Sequence, residues 1–543
     1  MAHIKSNCPK WLSTAVFYQI YPQSFYDSNS DGIGDIPGII EKLDYIKFLG
    51  CDAIWLNPCF ESPFGDAGYD VSDYYRVAKR YGTNADLKRL FREADKRNIK
   101  ICLDLVVAHT SIEHPWFKQS CKAEKNKYSN WYIWNDGTYK PVDKDLRFGW
   151  IRGYCNRDAN FALNYYWCQP ALNYGFAQPD SKKPWQLRVD HPDVKAVRKE
   201  VMNIMSFWLD MGASGFRVDM ARSLVKHDPG YKATSQFWRQ VRQMLDKDYP
   251  NAVLISEWSC PTQAISAGFH VDFMIQINEK VYNYLFRMEK HRDVLGESTD
   301  EGYSFFDKQG KGDIQKFLDR CTEHLRNTKG KGYISIPTGN HDTGRIGIGR
   351  NQKELEMVFA FIMTMPGVPF IYYGDEIGMR YVRNWVSKEG GYARNGSRTP
   401  MQWNDSKNAG FSKAPALKLY LPADSAKNRP NVEKQTANQN SLLNRVRQLI
   451  RLRKNSPALC ADGSFTALYA KSKKYPLVYM RSDGNQRYIA AFNPSKYKVR
   501  ADFTSPVGKT IPELKAGWGT DLKIQGRKCK IDMNAVSYGI FKL

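Results

Sequence analysis

Gly215-Phe216-Arg217-Val218-Asp219 sets a cation and a carboxylate two residues apart at the end of a hydrophobic run. Side chains alternate between faces along a strand, so Arg217 and Asp219 point the same way. A guanidinium beside a carboxylate favours its charged form, and an ionised, oriented carboxylate is a nucleophile. Alone, the string reads better as a salt bridge closing a strand end. The rest of the chain changes that reading.

Working outward, seven more short β-rich runs flank this one: Val16 to Ile20, Ala53 to Asn57, Ile101 to Val106, Val253 to Glu257, Asp272 to Ile277, Tyr333 to Pro337 and Phe370 to Tyr373. Amphipathic helical patterns, among them Ile39 to Leu49, Leu87 to Arg97 and Val194 to Met211, lie between them. Alternating strands and helices make an α/β protein, and eight such units close into a (β/α)8 TIM barrel with its chemistry at the C-terminal strand ends. The stretch from His109 to about Asp190 is too long for a βα loop and is rich in aromatics, Asn, Gly and Pro, which predicts a small domain inserted after strand three. Met379 to Gln439 has the composition of an irregular excursion after strand eight, and Leu477 to Arg481, Tyr488 to Phe492 and Val536 to Phe541 predict a C-terminal antiparallel β domain. The expected division is 1–108 and 191–456 for the barrel, 109–190 for the insert and 457–543 for the β domain.

A length of 543 residues exceeds what one core organises and agrees with several domains. The net charge of +24 raises nucleic acid, an anionic surface or a phosphorylated substrate, but Lys and Arg are dispersed and no nucleic-acid-binding signature accompanies them. A generally basic surface, with no nucleic-acid partner, is the reading adopted. The eleven cysteines show no metal-ligand spacing and are odd in number, as reduced thiols of a cytoplasmic enzyme would be. Neither a signal-peptide core nor a membrane-spanning apolar run is present in the sequence, so no membrane association is expected.

Three further strings fall at strand ends: Asp104 to His109 after strand three, Glu257 after strand five and Asn340-His341-Asp342 after strand seven. Together and in this order with Gly215 to Asp219, they resemble the α-amylase superfamily of retaining glycoside hydrolases, glycoside hydrolase family 13, from about Ala15 to the C-terminus. The resemblance implies Asp219 as nucleophile, Glu257 as acid and then base, and Asp342 as the carboxylate that binds hydroxyls and helps distort the ring. Arg217 is expected to keep Asp219 charged while Asp219 and Asp342 raise the affinity of Glu257 for its proton. His109 and His341 are expected to donate hydrogen bonds to the same sugar; their plainer reading is core packing, and no spacing favours a metal.

Asp66-Ala67-Gly68-Tyr69-Asp70 and Arg398-Thr399-Pro400-Met401-Gln402-Trp403 resemble the oligo-1,6-glucosidase and α-glucosidase branch. There, residues matching Asp66 and Arg398 pair across the closed end of the pocket and the match to Tyr69 stacks on the sugar, which implies exo action. Asp27, Asn29, Asp31, the Ile33 carbonyl and Asp35 resemble that branch's loop for a structural Ca2+, an alternation of oxygen ligands that hard cations require. No organic cofactor is expected. The chain departs from the family at Ala108, where Asn is usual, at Ala171 within Gln169 to Asn173, and at Met220 beside the nucleophile, so linkage preference is not legible. The reading is a monomeric exo-α-glucosidase acting on small oligosaccharides. Glucosyl transfer of the trehalose synthase or sucrose isomerase kind, trehalose-6-phosphate hydrolysis and a non-catalytic transporter-associated subunit stand as alternatives.

Overall fold

The computed structural model describes residues 8–275, 280–292, 294, 302–383, 387–504, 507–508 and 510–543. Eight parallel strands form one sheet: β1 (Phe17–Ile20), β2 (Ala53–Leu56), β3 (Lys100–Leu105), β4 (Gly215–Val218), β5 (Val253–Ser256), β6 (Val271–Phe273), β7 (Tyr333–Ser335) and β8 (Phe370–Tyr372). They are ordered β7-β6-β5-β4-β3-β2-β1-β8. The barrel closes between its ends, where the Val368 and Thr338 amides donate to the Ile334 and Phe370 carbonyls at 2.9 and 3.0 Å. The α/β barrel expected from the sequence is therefore what forms.

β2, β3, β4, β5 and β8 stop one residue before the predicted run does, β7 stops two and β6 four residues before it, and β1 ends where predicted. The ladder nevertheless continues: the Asn57, Asp219, Glu257 and Tyr373 amides donate to the Ile20, Leu105, Val218 and Gln19 carbonyls at 3.0 Å. Their side chains are thus fixed at the C-terminal mouth by the sheet itself. The last two residues of the predicted run Asp272 to Ile277, and part of the excursion after β8, lie outside the described residues.

Gly215 opens β4 with φ +144°, and a Cβ there would lie 2.2 Å from the Val253 carbonyl oxygen. Only glycine lets β4 approach β5 this closely. Helix positions follow their caps. The predicted Leu87 to Arg97 forms Asn84–Asp95 behind a capping box made by Thr83 and Asp86, and Val194 to Met211 forms Pro192–Met211, ended by Gly212 in the left-handed region. The predicted Ile39 to Leu49 is two helices, Ile36–Glu41 and Leu43–Leu49. The break is at Lys42, whose ammonium lies over the Tyr26 and Trp403 rings at 3.9 and 4.7 Å, a contact that periodicity does not register.

The 109–190 stretch contains a short helix, Pro115–Ser120, and the strand pair Trp150–Ile151 and Phe161–Ala162, with its own apolar cluster around Ile133, Leu146 and Phe176. After the barrel, an antiparallel sheet is built from β9 (Ser464–Tyr469), β10 (Leu477–Ser482), β11 (Arg487–Asn493), β12 (Val499–Thr504), β13 (Glu513–Gln525) and β14 (Lys528–Lys542). The predicted Val536 to Phe541 is the second half of the long strand β14. This sheet packs on the barrel through Phe492 against Phe361 at 5.7 Å, and the Tyr538 hydroxyl donates to Glu356 at 2.9 Å. Among the described residues no helix is long and apolar enough to cross a membrane.

Candidate active site

At the C-terminal mouth of the barrel lies a cavity of about 810 Å³, lined by Asp66, Tyr69, His109, Asp219, Glu257, His341 and Asp342 among others. Its floor is organised by Arg217, which projects from β4 into the barrel and is 1% exposed. One guanidinium nitrogen reaches Asp104 at 2.9 Å and Asp219 at 3.1 Å, and the other reaches Glu257 at 2.7 Å. β3 and β4 pair with Asp104 opposite Arg217, so strand register alone brings that buried carboxylate to the cation. The Trp55 indole and the Tyr69 hydroxyl also donate to Asp104, at 3.0 and 2.8 Å. Asp104 stands inside a quoted string, yet its part in holding Arg217 was not read from the sequence.

The Asp219 and Glu257 carboxyls interact directly. Burial, and then the charge of Glu257, push the Asp219 carboxyl well up, with Arg217 opposing them. Arg217 acts on Asp219 in the expected direction, toward the charged form, but shares its guanidinium with Asp104 and Glu257. Both carboxyls are held on the same guanidinium, Asp219 at 3.1 Å and Glu257 at 2.7 Å.

Met220, directly after Asp219, adopts φ +43°. In that left-handed turn its amide donates to the second Glu257 oxygen at 2.9 Å. A bulky residue held there is strained by about 1–3 kcal/mol, and the bond it makes fixes the Glu257 carboxyl from the peptide next to Asp219.

Asp342, on the loop after β7, is held by Arg394 at 2.8 Å and Arg398 at 2.9 Å. Burial works against its ionisation, but the His341 ring, Arg394 and Arg398 outweigh it and keep the carboxyl well below the usual range. His341 accepts at Nδ1 from Gln19 and Asn57 amides at 3.1 and 3.2 Å, which leaves Nε2 protonated and 3.3 Å from Asp342. Burial pushes the ring's affinity for a second proton well down, so it is a neutral donor. Tyr69 stacks on it, with centroids 5.3 Å apart and planes 3° apart.

Two expected contacts differ. Asp66 does not take its cation from Arg398: its ion pair is with Arg394 at 3.4 Å, and the Gln169 amide donates to its other oxygen at 2.9 Å. Arg398 is drawn instead to Asp342 and to the His341 carbonyl at 2.8 Å. Burial, only partly opposed by Arg394, raises the Asp66 carboxyl to about 6. Arg394 escaped the sequence reading; it stands within the 3-10 helix Tyr392–Ser397, whose C-cap is Arg398, and both guanidinium groups reach Asp342. His109 is the second case. Its Nε2 donates to the Tyr69 carbonyl at 2.8 Å and its Nδ1 accepts from Asn164 at 3.2 Å, so both ring nitrogens are occupied within the protein.

The Asp27 to Asp35 loop lies apart from this cavity. Asp27 accepts from the Asn29, Ser30 and Gly32 amides and the Ser412 hydroxyl, and Asp35 accepts from Ser28 and caps the Ile36 helix at the Gly38 amide. Asp31 and Asn29 close turns onto the Ile33 and Asp31 amides. Burial, and in smaller part the charge of Asp27, raise Asp35 above the ordinary carboxylate range. The set is made only of oxygens, as a hard divalent cation requires, but its carboxylates are turned onto the loop's own donors and are not gathered around one point; among the described residues the acidic and histidine side chains that do converge are Asp143, Asp145 and His227.

A family model for the alpha amylase catalytic domain matches residues 19–462. The oligo-1,6-glucosidase of Parageobacillus thermoglucosidasius is 33% identical over 539 residues, covering 90% of this chain and 91% of that protein. The trehalose synthase/amylase TreS of Mycolicibacterium smegmatis is 31% identical over 515 residues, covering 88% and 81%. Among solved structures, an isomaltulose synthase mutant of Erwinia rhapontici NX5 in complex with sucrose superposes with a TM-score of 0.81 at 25% identity, covering 98% of this chain and 99% of that one. On the extent of that match, and with carboxylates of the right kind at the right strand ends, the chain belongs to the α-amylase family, glycoside hydrolase family 13, and is an enzyme of that family.

Proposed function

We propose that this enzyme is a retaining, exo-acting α-glucosidase that removes terminal glucose from short malto- or isomalto-oligosaccharides. The observation that carries the reading is the run of ion pairs Asp66–Arg394–Asp342–Arg398 along one side of the cavity. Fixed charges joined in this way suit the several hydroxyls of a single terminal sugar, and a cavity of about 810 Å³ suits a small ligand better than a polymer.

In the proposed reaction the Asp219 carboxylate attacks the anomeric carbon as its bond to the leaving oxygen breaks, and Glu257 gives that oxygen the proton. Glu257, now a carboxylate, takes a proton from water, the water oxygen attacks the same carbon, and Asp219 is released. Two inversions retain the α configuration. Asp342 and the His341 Nε2–H would bind hydroxyls, and Tyr69, stacked on His341, would face the sugar ring.

A second reading, transfer of the glucosyl group to a sugar acceptor, shares the covalent intermediate. Tyr231 and Trp258, with ring centroids 5.5 Å apart and both lining the cavity, give it an aromatic platform for an acceptor. Incubation with maltose, maltotriose, isomaltose, sucrose, trehalose and trehalose-6-phosphate, followed by chromatography, is expected to yield glucose released stepwise from non-reducing ends. Rearranged disaccharides would replace the reading by the transferase, and cleavage of the phosphorylated sugar alone would replace it by the phosphate-dependent hydrolase.

A structural Ca2+ held by Asp27, Asn29, Asp31, the Ile33 carbonyl and Asp35 belongs to the same proposal. Binding at a hundredfold excess over Kd stabilises by about 2.7 kcal/mol, so chelation is expected to lower the melting temperature by several degrees, reversed by added Ca2+. An unchanged melting curve, with no stoichiometric metal in the purified protein, would remove the ion from the account. The cytoplasm, as the setting of a monomer, is proposed on cysteine usage.

A further inference from the structure

We propose that Cys121 and Cys155 are an oxidisable dithiol that closes to a disulfide on reaction with peroxide, pinning the tip of a hairpin that frames the cavity. Both are thiols in the structure, and their side chains are in hydrogen-bonding contact across 34 residues of chain. Backbone geometry independently brings the two segments together: the Arg157 amide donates to the Cys121 carbonyl at 3.1 Å, and the Phe117 and Tyr154 rings meet at 6.0 Å. Cys121 follows the Pro115–Ser120 helix, and Cys155 lies in the turn between strands Trp150–Ile151 and Phe161–Ala162. Both are half-buried among exposed neighbours, Lys122 and Ala123 on one side and Tyr154 and Asn156 on the other, so a small oxidant can reach them.

The two thiols are unequal. Contact with the Cys121 thiol, the Arg157 amide and the Arg157 guanidinium bring Cys155 down to about 7 against the burial that opposes them, while the same contact and burial push Cys121 up. Arg157 is itself fixed by the Ser120 and Ser129 carbonyls and by the Trp134 ring. Cys155 is therefore the attacking thiolate. Its sulfur bonds to one peroxide oxygen as the O–O bond breaks, giving a sulfenic acid and a hydroxide that leaves as water. The Cys121 sulfur then displaces that sulfenic oxygen, which departs as a second water with the Cys121 proton. Two thiols lose one electron pair and peroxide gains it.

The consequence lies in the wall of the cavity. Leu146 to Phe148 lead into the hairpin and Leu163, Tyr165 and Tyr166 lead out of it, and all of these line the cavity. A covalent tie from the hairpin turn to the Cys121 segment restrains both stretches at once.

The test uses the full-length, fully reduced protein with hydrogen peroxide near stoichiometry. Two of the eleven thiols are expected to disappear with a mass loss of about 2 Da, and non-reducing peptide mapping should join Cys121 to Cys155. Tryptic cleavage after Lys122, Lys125 and Lys127 should slow several-fold and recover on reduction. In Cys121→Ser the reaction should stop at a Cys155 sulfenic acid that dimedone captures, and in Cys155→Ser neither product should form. A bond between other cysteines, retention of all thiols under peroxide that oxidises glutathione, or unchanged cleavage after the bond has formed would overturn the proposal.

Discussion

Asp219→Asn and Glu257→Gln are each expected to stop turnover of natural α-glucosides while leaving the fold intact. Both replacements keep shape and hydrogen-bonding capacity, and Arg217 retains carboxylate partners in either variant, Asp104 and Glu257 in the first and Asp104 and Asp219 in the second. The two losses differ in kind. Asparagine cannot form the covalent intermediate, so its defect is independent of leaving group and exceeds about 10⁴-fold. Glutamine cannot supply a proton, a contribution of about 10²–10⁴-fold, and an aryl glucoside whose phenolate departs unaided should recover much of the first step. Steady-state rates on an oligosaccharide and an aryl glucoside, beside circular dichroism, check both. Near-normal turnover in either variant would sink the mechanism.

Arg217→Met is expected to be the most damaging single change to the fold at the site. It leaves Asp104, 1% exposed, and two more carboxylates without their cation, and breaking a buried ion pair from one side costs about 3–5 kcal/mol. The pH dependence has a definite sign. Burial already raises Asp104 to about 6 in the native protein, with Arg217 opposing it, so without Arg217 it rises further. A carboxyl raised in the folded state favours folding most when protonated, and that contribution is lost as pH climbs through its folded value. The stability gap between variant and native protein should therefore be widest at pH 8 and narrow toward pH 5 in urea unfolding. A gap that does not change with pH would contradict the assignment of Arg217 as the shared counter-charge. Arg217→Lys should also lose activity, because a single ammonium cannot present the fork that reaches Asp104, Asp219 and Glu257 together.

Much of this was legible because the barrel repeats one signal. A short apolar run followed by an amphipathic stretch specifies a strand and its return helix wherever it occurs, and carboxylates just beyond such runs fall at one end of a parallel barrel. What escaped depended on contacts between distant segments. Arg394 acquires its place from Asp66 and Asp342, which lie 328 and 52 residues away. The ring of His109 is occupied by a carbonyl at Tyr69 and an amide at Asn164, neither of which its own string announces. Lys42, where one expected helix becomes two, reaches the ring face of Trp403, more than three hundred residues later. Periodicity reports which way a side chain faces and is silent about what it meets there.

Because a single guanidinium serves Asp104, Asp219 and Glu257, these positions do not vary one at a time. Neutralising any carboxylate frees the cation toward the other two and changes their protonation, so the effect of a second substitution depends on the first. Replacement of Arg217 after loss of two acids would cost far less than replacement before it. An inheritable route away from catalysis thus has a preferred order, acids first and arginine last, and a descendant that keeps the arginine with none of its three partners would carry an isolated buried charge that selection removes.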